Sequence, residues 1–299
     1  AWTATNGDTT FDAVVSPVVP GSVADKAQTA VVTDLNADSA DVKETVTYTT
    51  VGSLVPSSSD GNFPGAQKVV YPNDPSDATK VTPAGVPTVP GYTAHDPEGH
   101  VLTPGSRYQP SDPTKDTTIT YTADQQEGSV SYVDDTTGKT LKTDRISGTT
   151  GSKSSYSTSG NIADYKKHGY ELVTDGYPAD LTFDNNDTTA QNFTVHLKHH
   201  LTPVNPTDPQ TPGAPINPDE PDGPKWPTST NYDKTVNETV SYVAQNGHVV
   251  AKPHTDSVNF TRTVVVDNVT GEVITSGAGT KAWTATNGDT TFDAVVSPV

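Results

Sequence analysis

Three short clusters in this chain hold residue types that could do chemistry. His196-Leu197-Lys198-His199-His200 places three imidazoles within five residues, the donor type a zinc ion takes. On a strand, His196 and Lys198 share one face and His199 takes the other. Cysteine is absent and no adjacent carboxylate completes a set, so the pattern reads as a polar strand end. Asp34-Leu35-Asn36-Ala37-Asp38-Ser39 imitates the start of a calcium loop, but Ser39 stands where the sharp turn needs Gly and Thr45 where the bidentate Glu belongs. Asp184-Asn185-Asn186-Asp187 and Asp134-Asp135 leave looser calcium sites open beside their ordinary reading as turns, and no other cofactor is expected. Ser, His and Asp are all present, yet no G-x-S-x-G-type elbow holds a nucleophile, and acidic residues are too widespread to single out a glycosidase pair. The chain reads as a binding or structural protein rather than an enzyme.

The elements that carry these clusters are mostly strands. Thr45-Val46-Thr47-Tyr48-Thr49, Thr118-Ile119-Thr120-Tyr121-Thr122, Ser129-Val130-Ser131-Tyr132-Val133 and Thr239-Val240-Ser241-Tyr242-Val243 all alternate apolar residues with small hydroxyl residues. After the strand at 129–133, Asp134-Asp135-Thr136-Thr137-Gly138 is turn chemistry, and a second strand runs over 139–147. A Ser/Thr/Gly stretch ending near Ser159 offers a helix cap, and the helix is expected to start near Asn161. Ile162 and Tyr165 should face the sheet, Lys166, Lys167 and His168 lie near the C-terminal end, and Gly169 stops the helix. Strands at 170–173 and 193–197 complete the order ββαββ, a β-grasp (ubiquitin-like) module with one helix on a mixed sheet.

The expected fold class is mainly β with an α+β module, in an elongated tandem of small units. Residues 1–49 and 232–299 read as the C-terminal and N-terminal parts of one β-rich repeat module. Residues 50–124 are Pro-rich and contain two units about 35 residues apart, since Ser76-Asp77-Ala78-Thr79-Lys80 recurs as Ser111-Asp112-Pro113-Thr114-Lys115. Their core should be thin. Residues 125–200 are the β-grasp module, and 201–231, with a proline at nearly every third position, should be a stiff polyproline spacer.

Composition narrows the function. Only 31 % of residues are hydrophobic, so small strand-rich modules suit the chain better than one large core. The net charge of −18 disfavours nucleic acid and anionic membrane surfaces, and no apolar run approaches the ~18 residues that span a bilayer. Without cysteine, the alternatives are a cytosolic protein or a Gram-positive surface protein, and the Thr/Pro/Asp-rich repeats favour the second. Residues 282–299 repeat residues 1–18, AWTATNGDTTFDAVVSPV, without a change. An identical copy 281 residues away points to a long tandem array, and the lack of Met fits a segment of something larger.

Long motifs carry a family likeness. Ser129-Val130-Ser131-Tyr132-Val133-Asp134-Asp135-Thr136-Thr137-Gly138-Lys139, followed by Gly169-Tyr170-Glu171-Leu172-Val173 and Phe193-Thr194-Val195-His196-Leu197-Lys198-His199, resembles the mucin-binding domain of Lactobacillus mucus adhesins. Val258-Asn259-Phe260-Thr261-Arg262-Thr263, Val269-Thr270-Gly271-Glu272 and Thr291–Pro298 resemble the companion repeat of the same proteins. The resemblance implies large wall-anchored extracellular proteins that hold bacteria to host mucus, some of which capture immunoglobulins. On that reading the partner is mucin glycoprotein, bound through many weak contacts. The alternatives are an immunoglobulin- or other host-protein-binding module, or a passive stalk. Sugar contacts need aromatic faces and polar donors, for which Tyr156, Tyr177, Lys166, Lys167 and His168 are the candidates. The split repeat module also predicts head-to-tail self-association.

Overall fold

The computed structural model describes residues 1–299 and divides them into two compact units. The first holds residues 1–128, 146–154 and 180–191, and the second holds 129–145, 155–179 and 192–299.

In the first unit, β1 (Ser22–Ala24) pairs antiparallel with β2 (Tyr48–Thr50). The strands β3 (Ser53–Ser57), β4 (Val69–Val70), β5 (Ala84–Gly85), β6 (Tyr92–His95), β7 (Val101–Leu102), β8 (Arg107–Tyr108) and β9 (Thr117–Ala123) follow. They form a five-stranded sheet of order β4-β3-β9-β6-β7 and a separate β5-β8 pair. The hydroxyl/apolar alternation of β9 buries Ile119 and Tyr121 on one face and leaves Thr118, Thr120 and Thr122 exposed. Leu54, Tyr71, Ile119 and Tyr121 centre the cluster, and Val23 of β1 belongs to it. The core expected to be thin here is instead well filled. Tyrosine makes this possible, because each buried ring keeps its hydroxyl partnered: Tyr71 with Thr117 Oγ1 at 2.5 Å, Tyr121 donating to the Pro87 carbonyl at 2.5 Å.

The two Ser-Asp-x-Thr-Lys units share one turn. In each, the Asp carboxylate accepts from the amide and the hydroxyl of the Thr two residues on, at 2.9 and 2.6 Å for Asp77 and 2.9 and 2.7 Å for Asp112. These bonds hold both carboxyls below their usual pKa.

The second unit contains most of a four-stranded sheet of order β11-β10-β13-β12. Its strands are β10 (Gln125–Asp134), β11 (Lys139–Thr149), β12 (Tyr170–Asp175) and β13 (Gln191–His199), with α1 (Ser159–Lys167) between β11 and β12. β12 and β13 are antiparallel. Ser129 bonds Asn192 and Asp135 bonds Leu197, so the partners advance together and β10 runs parallel to β13. This is the ββαββ grasp expected from the sequence. The helix starts two residues earlier than expected, after Thr158. Its side chain does not cap the helix but donates to Asp175 Oδ2 at 2.6 Å. Ile162 is buried, and the Tyr165 ring lies 5.7 Å from that of Tyr132. Gly169 ends the helix at φ +94°, donating to the Lys166 carbonyl.

The proline-rich stretch departs from expectation. It does not stand free as a polyproline rod. Its first residues form β14 (Leu201–Val204), and β15 (Asp233–Val243), β16 (Val249–Asp267), β17 (Val273–Ile274) and β18 (Lys281–Ala285) follow. All four others pair with the nineteen-residue β16. Val204, Tyr232, Val264 and Val266 are buried together, with Ile216 and Trp226 from the proline-rich segment packed against them. Pro203 is tolerated because β14 is an edge strand, where a missing amide can face away from the ladder.

Candidate ligand surface

The five sequence-selected residues fall at two ends of α1. At the N-terminal end, the Tyr156 hydroxyl lies 2.6 Å from that of Tyr132 and donates to Asp144 Oδ2 at 2.7 Å. Asn161, in the first turn of the helix, donates to the same two hydroxyls and to Asp144 at 3.1–3.4 Å. Lys142 reaches Asn161 Oδ1 at 3.0 Å and Asp144 at 3.5 Å. Burial, reinforced by Tyr132 and Asp144, pushes the Tyr156 hydroxyl far above its usual pKa, so it stays neutral. It is a donor that orders the knot, not a base.

Tyr177 stands edge-on to Tyr156 with ring centroids 5.3 Å apart, and edge-on to Phe193 at 5.5 Å. The three half-buried rings form a short aromatic row. Alternation along β13 supplies Phe193, and the Asp175 carboxylate fixes the turn by accepting from the Tyr177 amide at 3.0 Å. Sequence reasoning selected Tyr156 and Tyr177 but missed Phe193, Asn161 and Asp144. The signal was present for Phe193, since it heads the apolar alternation of its strand.

At the other end, Lys166 and Lys167 are exposed on the last helical turn, where cations suit the helix dipole. His168 is engaged: Nδ1 bonds the Asp164 carbonyl at 2.7 Å and Nε2 lies 2.5 Å from Glu220. The Asp164 carbonyl and Glu220 raise its pKa against the opposing effect of burial. Seven helical residues, about 10 Å at 1.5 Å each, lie between the start of the helix and Lys166. The two ends are two surfaces rather than one.

The clusters first considered for chemistry are held by internal hydrogen bonds and ion pairs. His196 Nδ1 meets Asp135 at 2.8 Å, and both nitrogens of His199 meet carboxylates. Asp184 and Asn186 accept from the amides two residues on, as in ordinary Asx turns. Asp187 accepts from Gln126 Nε2 at 2.6 Å. No helix is long and apolar enough to cross a membrane.

The grasp sheet, capped by one helix and carrying the aromatic row, is followed by a strand-rich companion. A family profile described as "Mucin binding domain" matches residues 126–199, and one described as "Muc B2-like domain" matches residues 1–52 and 227–299. Two solved structures are similar. The "Type 2 repeat of the mucus binding protein MUB from Lactobacillus reuteri" is 37 % identical over 53 % of this chain and 74 % of its own, with a TM-score of 0.36. "Mub-RV" is 34 % identical over 58 % of this chain and 82 % of its own, with a TM-score of 0.41. No curated protein matches. On sequence identity and the two domain profiles, the chain belongs to the mucus-binding protein (MUB) repeats, a family of binding domains rather than enzymes.

Proposed function

We propose that this repeat binds mucin glycoproteins from the surface of a bacterium, as one of many weak sites in a wall-anchored tandem array. The observation that carries the reading is the mucin-binding domain match over residues 126–199. The Tyr156–Tyr177–Phe193 row within it supplies ring edges and faces for sugar C–H groups, and Lys142, Asn161 and Asp144 supply polar neighbours. A surface this small gives modest affinity, and repetition multiplies it by about 10²–10⁴. Titration of the whole chain against immobilised mucin, with Tyr177→Ala alongside, tests the reading. Loss of a contact ring should weaken binding about tenfold. Equal binding by the variant and the parent chain removes the row from the site.

Head-to-tail association of copies is a second reading, favoured by one observation. Trp283 of β18 lies 4.6 Å from the Arg262 guanidinium and 5.2 Å from Lys234 Nζ, whereas Trp2, its counterpart in the identical segment, is 90 % exposed. Sedimentation over a hundredfold concentration range tests this: a mass that stays monomeric throughout excludes it.

A further inference from the structure

Val133-Asp134-Asp135-Thr136-Thr137-Gly138 and Val266-Asp267-Asn268-Val269-Thr270-Gly271 share one spelling, V-D-x-x-T-G, and fold alike. In each, the Gly amide donates to the Asp carbonyl at 2.7 Å, and the Gly takes φ +74° or +76°. The amide two residues after the Asp donates to its Oδ1 at 2.9 Å, from Thr136 in one turn and Val269 in the other. The second carboxylate oxygen of each Asp meets the same ring. His199 Nε2 is 2.7 Å from Asp134 Oδ2, and Nδ1 is 2.7 Å from Asp267 Oδ2. His199, Asp134 and Asp267 are 7 %, 2 % and 6 % exposed.

A neutral imidazole carries one N–H, so one of these contacts would set a lone pair against a carboxylate oxygen. Two such distances fit a ring whose nitrogens both donate, an imidazolium between two carboxylates. We propose that Asp134–His199–Asp267 is an acid-strengthened clasp, in which the protonated ring staples two like turns and secures β14 and the end of β16 beside the grasp sheet until it loses its proton. Backbone contacts surround the clasp. Asn268 donates to the His200 carbonyl at 2.9 Å, His200 donates to that of Gly169 at 2.8 Å, and Leu201 pairs with Asp267.

The groups facing the ring are Asp134 from β10, Asp267 from β16 and Tyr170 from β12, whose ring stands edge-on at 5.3 Å. Thr136 Oγ1 accepts from the His199 amide. Burial and the two carboxylates raise the Tyr170 pKa, so it adds no charge. Lys198 and His200 pair with Glu171 at the surface. Burial of His199 opposes its charge, but the two carboxylates outweigh it and lift its pKa above the usual value of 6.5. Burial likewise raises Asp134, but bonds from Thr137, His199 and Thr136 more than offset it and hold the carboxyl below 3.8. The histidine contribution is therefore complete below pH 6.5 and lost as pH rises through the higher folded value. The Asp134 contribution runs the other way: it is complete above pH 3.8 and lost as pH falls through the lower folded value. The clasp is tightest in mildly acidic solution.

NMR titration of the whole chain from pH 4.5 to 9 tests this, following the His199 ring signals together with hydrogen exchange at Thr202, Val204 and Val264–Asp267. His199 should release its proton above pH 6.5. Exchange at those amides, corrected for base catalysis, should rise with the same midpoint, about tenfold per unit of displaced pKa. Asp267→Asn should lower the His199 midpoint and uncouple the exchange from it. A parent chain whose His199 titrates at or below 6.5, or whose strand protection ignores that titration, overturns the clasp whether or not the variant folds.

Discussion

Residues 1–18 and 282–299 are the same eighteen residues in two settings. What they share is local. Both carry a single 3-10 turn over Thr-Asn-Gly, with the Asn in the left-handed region at φ 63° in one and 60° in the other. What differs is everything that needs a distant partner. In the first copy, Phe11 bridges Val32 and Val15 bridges Gln28, while Trp2 lies open to solvent. In the second, Lys281–Ala285 joins β16 and half-buries Trp283, while the tail beyond Gly288 has no ladder and Val296 is 90 % exposed. Each copy holds the contacts the other lacks. Identical sequence fixes turns and lets neighbours decide strands.

The largest expected effect comes where a distant group closes over a residue that local conformation has already fixed. Gly169 needs a left-handed backbone, and a Cβ there would come within 2.4 Å of the Asn268 carbonyl. Gly169→Ala should cost about 2–4 kcal/mol in thermal or urea unfolding of the second unit. A loss near 1 kcal/mol, the conformational part alone, would mean that the Asn268 approach relaxes freely. Next comes the contrast between the tryptophans. Trp283→Ala removes a ring packed on Arg262 and Lys234 and should cost about 2 kcal/mol, whereas Trp2→Ala should stay within about 0.5. Equal losses would show that both copies are docked in solution. The smallest effect tests what the copies share: Asn6→Ala and Asn287→Ala should each cost about 0.5–1 kcal/mol, since the same φ is imposed on both. Unequal losses would mean that the turn, too, is set by its surroundings.

The same division explains what was legible in the sequence. The grasp module was readable because its signals are short-range: the Val/Tyr alternation of β10, the Asp-Asp-Thr-Thr-Gly turn, and Gly169 closing a helix whose Ile162 and Tyr165 share a face. The proline-rich stretch misled because a proline every third residue describes a chain with nothing to pair with. Here Thr202 and Val204 found an edge of β16, and Trp226 found a core. The thin core expected for residues 50–124 failed because Tyr71 and Tyr121 fill space that few aliphatic residues could. Of the candidate contact residues, Tyr156 and Tyr177 do meet, but the helix length that parts them from Lys166 and Lys167 is invisible in a list of residue types. The clasp was hidden for the plainest reason: His199 joins partners 65 and 68 residues away. Only the doubled V-D-x-x-T-G spelling marks in the sequence the two turns that serve one ring.

Mucin binding as proposed here is made of weak contacts that work against the chain's own charge. At −18 it meets sialylated or sulfated glycans as one anion meets another, so repulsion should decide the strength of binding at neutral pH. The direct measurement is the affinity of the whole chain for immobilised mucin across salt concentrations at pH 7, and across pH from 7 to the sequence pI of 4.5. Affinity should rise with added salt, which screens the repulsion, and rise again as carboxylates take up protons toward pH 4.5. Affinity that falls with salt would place recognition on a local basic patch, and no binding under any of these conditions would contradict the account.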